Sequence, residues 1–176
     1  MLYPGLILAQ KKEIDTNYIY WSKDRKLKQE DFLIKTANNG ASSSAMFGSE
    51  YNLTGIFSMQ IPKNYKEKIR HYFVRNASWI DTTANFSDNL TYQQTQFDLC
   101  EIYFRKFRKE VNENKKKIFW GKLAIRDINN KILADYRKRV VIYDQETKSG
   151  NLPDKQQEWE LIILKELEEL SEFGID

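Results

Sequence analysis

The sequence is short of the residues from which most familiar active sites are built. Cys100 is its one cysteine and His71 its one histidine. A single thiol excludes an intrachain disulfide framework and a cysteine-based zinc cluster. A single imidazole excludes every paired-histidine metal motif and leaves one candidate for the base of a catalytic triad. Glycine and proline are also scarce, at 7 and 3 residues, which argues against low-complexity and repeat-turn architectures. Arginine is outnumbered by lysine, 8 to 20, so most positive charge sits on solvated ammonium groups rather than bidentate guanidinium clamps. No apolar run is long enough to span a bilayer.

What is present fits a folded domain. The 176 residues are 41% hydrophobic and 14% aromatic, enough for one core and too rich for a disordered chain. The net charge of +3 is unevenly placed. Residues 101–148 carry 14 Lys/Arg against 7 Asp/Glu, and residues 154–176 carry 2 against 8. No stacking motif or Gly-rich loop accompanies the basic stretch, so the chain reads as having no nucleic-acid partner. The opposite charges fit helices that pack together or sit apart in water.

Residues 1–10 are apolar and end on Ala9 before a charged stretch. They read as a signal-peptide remnant or as an N-terminal strand, with residues 11–176 as a single domain. Strand patterns follow at Tyr18–Ser22 and at Ile69–Val74, where Ile69, His71 and Phe73 share one face. Between them come a short helical turn over Lys26–Ile34, a loop over Asn38–Ser44, and a hairpin or two strands over Ala45–Ile61 with a turn at Asn52–Gly55. From Ser87, with Ser87 and Asp88 as caps, the period becomes helical. Leu90, Phe97, Phe104 and Val111 recur every seven residues, with Cys100 and Phe107 between, as far as Asn114. A second helix is expected over Ile118–Tyr143, weakened at Gly121 and Asn129–Asn130, and a third over Asp154–Leu170. Strands first and helices after predict an α+β domain, an N-terminal antiparallel sheet packed against three helices. The second of the three helices is expected to carry the polar string Tyr92–Gln96.

Polar residues interrupt the stripe at its start. Gln93 falls on the centre line with Phe97 and Phe104, and Tyr92 and Gln96 lie together on the neighbouring face. A core-facing amide needs hydrogen-bond partners. The string Tyr92-Gln93-Gln94-Thr95-Gln96 has the spacing of His-Glu-x-x-His, in which two histidines four apart grip zinc and the glutamate activates water. Read without other information, it is a polar first turn facing a neighbouring loop. His71 reads as a packed strand histidine and Cys100 as a buried thiol.

Several blocks resemble a bacterial family of secreted zinc-dependent proteases of largely unknown function. Trp21-Ser-Lys-Asp-Arg-Lys-Leu-Lys-Gln-Glu-Asp-Phe32 resembles its opening W-S-x-x-R-x-L-x-W-x-D-F block. Ala41–Ser49 resembles its small-residue strand entry, and Tyr72-Phe73 with Ser78-Trp79 its aromatic-F…S-W block. Leu90–Arg105 resembles L-L-x-H-E-Q-x-H-F-D-I-x-E-x-Y-A-R, and Tyr143–Gly150 with Gln157 and Trp159 resembles Y-D-x-E-T-x-H-G…Q-x-x-W. The resemblance implies a zincin-like fold. It also implies an envelope or secreted location, and sequons such as Asn76-Ala-Ser78 carry no weight in a bacterial protein.

The departures fall on the chemistry. Tyr92 and Gln96 stand where the family has its motif histidines, Gln93 where it has the glutamate, and Ser149 where it has a further histidine. Tyrosine and amides are poor zinc ligands, and Gln93 has no basicity to offer as general base. The expectation is a pseudoenzyme with no cofactor, metal or catalytic residue. Its vestigial cleft is formed by Tyr92, Gln93, Gln96, Glu101 and Ser149. Asp98 and Glu101 match the family and read as fold-holding partners of Arg105 or Arg108, or as former orienters of a metal site. The implied function is binding an envelope protein or a peptide. The alternatives are a residual hydrolase using Asp98 and Glu101, or a purely structural envelope protein.

Overall fold

The computed structural model describes residues 16–34, 43–51, 62, 64–83 and 85–175. The fold is α+β. Three strands form one antiparallel sheet: β1 (Tyr18–Tyr20), β2 (Ser43–Tyr51) and β3 (Ile69–Ile80), in the order β1-β3-β2. Four helices follow: α1 (Phe86–Glu113), α2 (Lys115–Phe119), α3 (Ile125–Thr147) and α4 (Pro153–Glu169). Residues 1–10, the turn at Asn52–Gly55 and the strand expected to run to Ile61 lie outside the described residues.

Alternation along β3 sets the first layer. Ile69, His71 and Phe73 are buried toward α1. On the other face Tyr72 packs against Tyr18 and Tyr20, with ring centroids 4.6 and 5.5 Å away. Gly48 lies under that ring; a Cβ there would stand 2.3 Å from Tyr72. The register slips where Ser44 pairs with Trp79 but Met46 pairs with Val74, so β3 bulges out over residues 75–78. Ser78, fully buried, fills the lost ladder: its hydroxyl donates to Val74 O and accepts from Met46 N. This explains locally why Ser78 precedes Trp79.

Helix α1 is the middle layer, with the sheet on one side and α3 and α4 on the other. Phe97 stacks on Phe47 and meets His71 and Phe73 on the sheet side. Leu99, Ile102, Tyr103 and Val111 join Tyr143, Ile132, Trp159 and Ile163 of α3 and α4 in one apolar cluster.

Three expectations need correction. The turn at Lys26–Ile34 is a single 3₁₀ turn, Gln29–Asp31; the motif lies on the first α-helix rather than the second, and four helices follow the sheet rather than three. Neither Ser87 nor Asp88 caps α1. The helix starts at Phe86 after Asn85, whose backbone is left-handed (φ 48°) and whose side chain makes no cap bond. The helix expected over Ile118–Tyr143 is broken into α2 and α3 at Gly121, where φ is +66°; only glycine adopts that conformation cheaply. Asn129–Asn130 does not interrupt α3.

Candidate functional site

The residues expected to form one vestigial cleft separate into three places, and helix geometry dictates the separation. Tyr92 and Gln96 are one turn apart and face α3. Gln93 is rotated about 100° from Tyr92 and faces the sheet. Glu101 is nine residues beyond Tyr92, which puts it about 13 Å along the axis and on the opposite side of the helix.

Tyr92, Gln96 and Ser149 do come together. The Tyr92 hydroxyl donates to Asp144 Oδ1 at 2.6 Å and accepts from Gln96 Nε2 at 2.7 Å. Gln96 Nε2 also reaches Asp144 Oδ1 at 3.0 Å, and the Ser149 side chain sits beside the Tyr92 hydroxyl. The turn after α3 delivers Ser149. Lys148, Ser149 and Gly150 are all left-handed, at φ 49°, 54° and 83°. The Thr147 hydroxyl ties the turn, donating to Tyr143 O and accepting from Gly150 N. Gly150 is pressed onto Tyr92, so a Cβ there would lie 2.8 Å from Tyr92 Cβ.

The Tyr92 ring stacks on Tyr143 at 5.4 Å. Burial and the Asp144 carboxylate hold its hydroxyl well above the usual phenol range, so it stays protonated at any physiological pH. Behind it Tyr143 donates to Gln156 Oε1, and Gln156 Nε2 donates to the Thr95 hydroxyl. The motif face is therefore a closed polar network. Its partners come from α1, α3 and α4, and Tyr92 is only 8% exposed. Asp144 is the carboxylate that Tyr92 and Gln96 share, and Glu160 joins at the far end through Gln156 Nε2; sequence reasoning missed Asp144, although it sits beside Tyr143 in the closing block. Gln93, 2% exposed, donates to Ser43 Oγ at 2.8 Å, and its Oε1 finds no partner among the described residues.

Compared with known proteins, the chain matches no family model, no curated protein and no solved structure.

Glu101 belongs to a second, more deeply buried cluster. Oε1 accepts from Arg105 Nε at 3.0 Å and from Arg108 Nη1 at 2.8 Å. Oε2 lies 2.9 Å from His71 Nε2. Arg108 also donates to Ile69 O and Phe173 O, and Arg105 to Leu167 O, so the cluster ties β3, α1, α4 and the C-terminal segment together. Burial raises the Glu101 pKa, but His71 and Arg108 outweigh it and hold the carboxyl down at about 2. Burial opposes the charged His71 ring; the Cys100 sulfur and Glu101 outweigh it and lift the pKa to about 9. At neutral pH the cluster thus holds one anion among three cations. His71 and Glu101 are 30 residues apart, and no local pattern links them.

Apart from all of the expected cleft residues, a groove of about 850 Å³ lies between α1, α4 and the segment after β1. Its apolar surface comes from Leu27, Leu90, Ile163, Leu164 and Leu167, and Gln94 and Asp98 of α1 line it as well. Asp98 is fully engaged: Oδ1 accepts from Trp21 Nε1 and Gln94 Nε2, and Oδ2 from Lys26 Nζ. Among the described residues no group of three His, Cys, Asp or Glu side chains is placed to hold a metal ion, and no helix is long and apolar enough to cross a membrane.

Proposed function

We propose that this protein is a catalytically inactive relative of the secreted zinc-dependent proteases it resembles, a zincin-like domain that acts by binding in the cell envelope or periplasm. One observation carries the reading. The Tyr92 and Gln96 side chains are bonded to each other and to Asp144, with Ser149 beside the Tyr92 hydroxyl, at positions where the family resemblance requires zinc ligands. Asp144 is a single hard ligand among neutral groups, a poor set for zinc.

The same geometry weighs against a residual hydrolase. Glu101 is ionised at about pH 2 and shared by three cations, so it is a very weak base. Asp98 has both oxygens occupied. The groove beside α4 favours binding over a purely structural role. Its volume lies in the range of ligand sites, and its apolar floor with charged rims suits a short apolar peptide segment.

Two measurements test the proposal together. Protein purified from rich medium should carry far less than stoichiometric zinc; about one zinc per chain, lost on Gln96→Ala, overturns the inactive reading. Peptides selected against the wild type by display should bind at least tenfold more weakly to Leu164→Glu. Leu164 is 64% exposed, so the variant should unfold at the wild-type temperature. Selected peptides that bind both proteins equally overturn the groove as the binding surface.

A further inference from the structure

The connection from α1 through α2 to α3 carries charge of one sign. Residues 115–126 include Lys115, Lys116, Lys117, Lys122 and Arg126 and no Asp or Glu. All of these cations are exposed. The ion pairs on either side use other lysines: Lys109 pairs with Glu113, and Lys131 with Glu110. Asp127 follows only in the first turn of α3. The acidic α4 and the C-terminal turn meet α1 at Lys106 and Arg108, about 9 Å or more along the axis short of Asn114.

The same segment puts aromatic rings in water. Trp120 is 69% exposed, the most exposed large apolar side chain among the described residues. Phe119 meets it edge-on, with ring centroids 5.1 Å apart. Ile118, Leu123 and Ile125 pack against the core, so they anchor the turn and leave the aromatic pair outside. Backbone bonds fix the turn. Lys122 N donates to Lys117 O at 2.8 Å and Gly121 N to Ile118 O at 3.0 Å, which closes α2 as a Schellman motif on the left-handed Gly121. The pair is therefore presented on a rigid tip at one end of the helical layer.

We infer that this tip is a docking surface for a bilayer that carries anionic lipid. Trp120 and Phe119 enter at headgroup level, and Lys115, Lys116, Lys117, Lys122 and Arg126 face the lipid phosphates. The occupant follows from the two features together. Unbalanced positive charge suits any polyanion, and exposed aromatic rings suit any apolar partner. A membrane surface offers both at once, phosphate lying directly over hydrocarbon, whereas duplex DNA offers phosphate but stacks its apolar base faces inside. The amphipathic indole ring is at home at the membrane interface, and each lysine near an anionic surface strengthens binding about fivefold. Lysine predominates among the cations, and a mobile point charge suits a fluid headgroup layer that has no fixed geometry for a guanidinium fork to match. The groove beside α4 takes no part in this surface.

Flotation of the full chain with lipid vesicles tests the surface. Phosphatidylcholine vesicles with about 30% phosphatidylglycerol should bind the wild type at least tenfold more tightly than phosphatidylcholine alone. Sodium chloride at about 0.5 M should remove most of that difference. Trp120→Ser should weaken binding at least fivefold, and Lys116→Gln together with Lys117→Gln at least tenfold. Lys165→Gln on α4, with its side chain 77% exposed, removes the same charge elsewhere and should change nothing. Every substituted side chain is exposed, so these variants keep the fold. The inference is overturned by equal binding to both kinds of vesicle, or by binding to neither. It is equally overturned if Trp120→Ser binds as the wild type does, or if Lys165→Gln loses as much as the Lys116/Lys117 variant. Binding to duplex DNA at the same salt, with none to vesicles, would assign the tip to nucleic acid and overturn it as well.

Discussion

Glu101 shows how one side chain can bind a fold together. It is 1% exposed, and its partners come from the same helix and from the sheet. Removing its charge strands three cations in the interior. Glu101→Gln should therefore cost about 3–5 kcal/mol, read by urea unfolding, because a broken buried pair leaves uncompensated charge. A loss under about 1 kcal/mol would mean that the cluster is solvated. The same cluster fixes the pH profile. The His71 pKa is raised from 6.5 to about 9, so its contribution is complete below 6.5 and is lost as pH rises through 9. The Glu101 pKa is lowered from 4.5 to about 2, so its contribution is complete above 4.5 and is lost as pH falls through 2. Unfolding free energy should peak between pH 4.5 and 6.5 and fall on the alkaline side, a fall that His71→Gln removes.

Two glycines allow a controlled comparison at the same scale. Gly121 and Gly150 both have positive φ, at 66° and 83°. A Cβ on Gly121 meets nothing within 4 Å, whereas one on Gly150 meets Tyr92 at 2.8 Å. Gly121→Ala should cost about 1–2 kcal/mol, the backbone strain alone. Gly150→Ala should cost clearly more, because it also pushes Tyr92 off Asp144. Equal losses in thermal or urea unfolding would show that the Ser149–Gly150 turn does not press on α1.

Among the elements, α1 is where pattern reading succeeds and then stops. Seven-residue recurrence located the sheet-side stripe, and Phe97, Phe104, Phe107 and Val111 are buried as it predicts. Alternation likewise placed Ile69, His71 and Phe73 inside. The amphipathic reading assumes one wet face, however, and α1 has little of one. Leu99 and Ile102, off the stripe, are fully buried by α3 and α4. That burial depends on contacts across the chain, which no local period encodes. Phe104→Ala should cost about 3–5 kcal/mol, and Leu99→Ala about 2–5 kcal/mol. Urea midpoints decide: a near-neutral Leu99→Ala would return α1 to a one-sided surface helix. The candidate site was legible only in part for the same reason. Residue spacing put Tyr92 beside Gln96, but only the turn after α3 brings Ser149 and Asp144 to them. Gln93 and Glu101 were grouped with that cleft on resemblance, and helix rotation takes them elsewhere.

For the whole molecule, the segregated charge resolves into helix contacts. Glu166 of α4 pairs with Arg139 of α3 and with Lys106 of α1, so the acidic helix lies against its basic neighbours. The placement of α3 on α1 also makes a test of ancestry possible. Tyr92→His, Gln96→His and Ser149→His together, with Asp144 already present, would put four ligand-type side chains where four hydrogen-bonding ones now meet. The triple variant should bind about one zinc per chain and unfold at a higher temperature with zinc than without. A folded variant with no zinc-dependent shift would show that α3 and α1 do not hold ligand geometry, and would weaken the zincin-like reading.

The strand order has a consequence for biosynthesis. The middle strand of the sheet is the last to be made: β3 ends at Ile80, after β1 and β2. A ribosome working at about 5–20 residues per second emits the 60 residues between Tyr20 and Ile80 in roughly 3–12 s. During that interval the two outer strands have no template, and their Tyr, Phe and Met side chains have no core to enter. The nascent chain is thus held open by its topology until β3 and then α1 emerge, a window in which a holding factor can engage it unfolded.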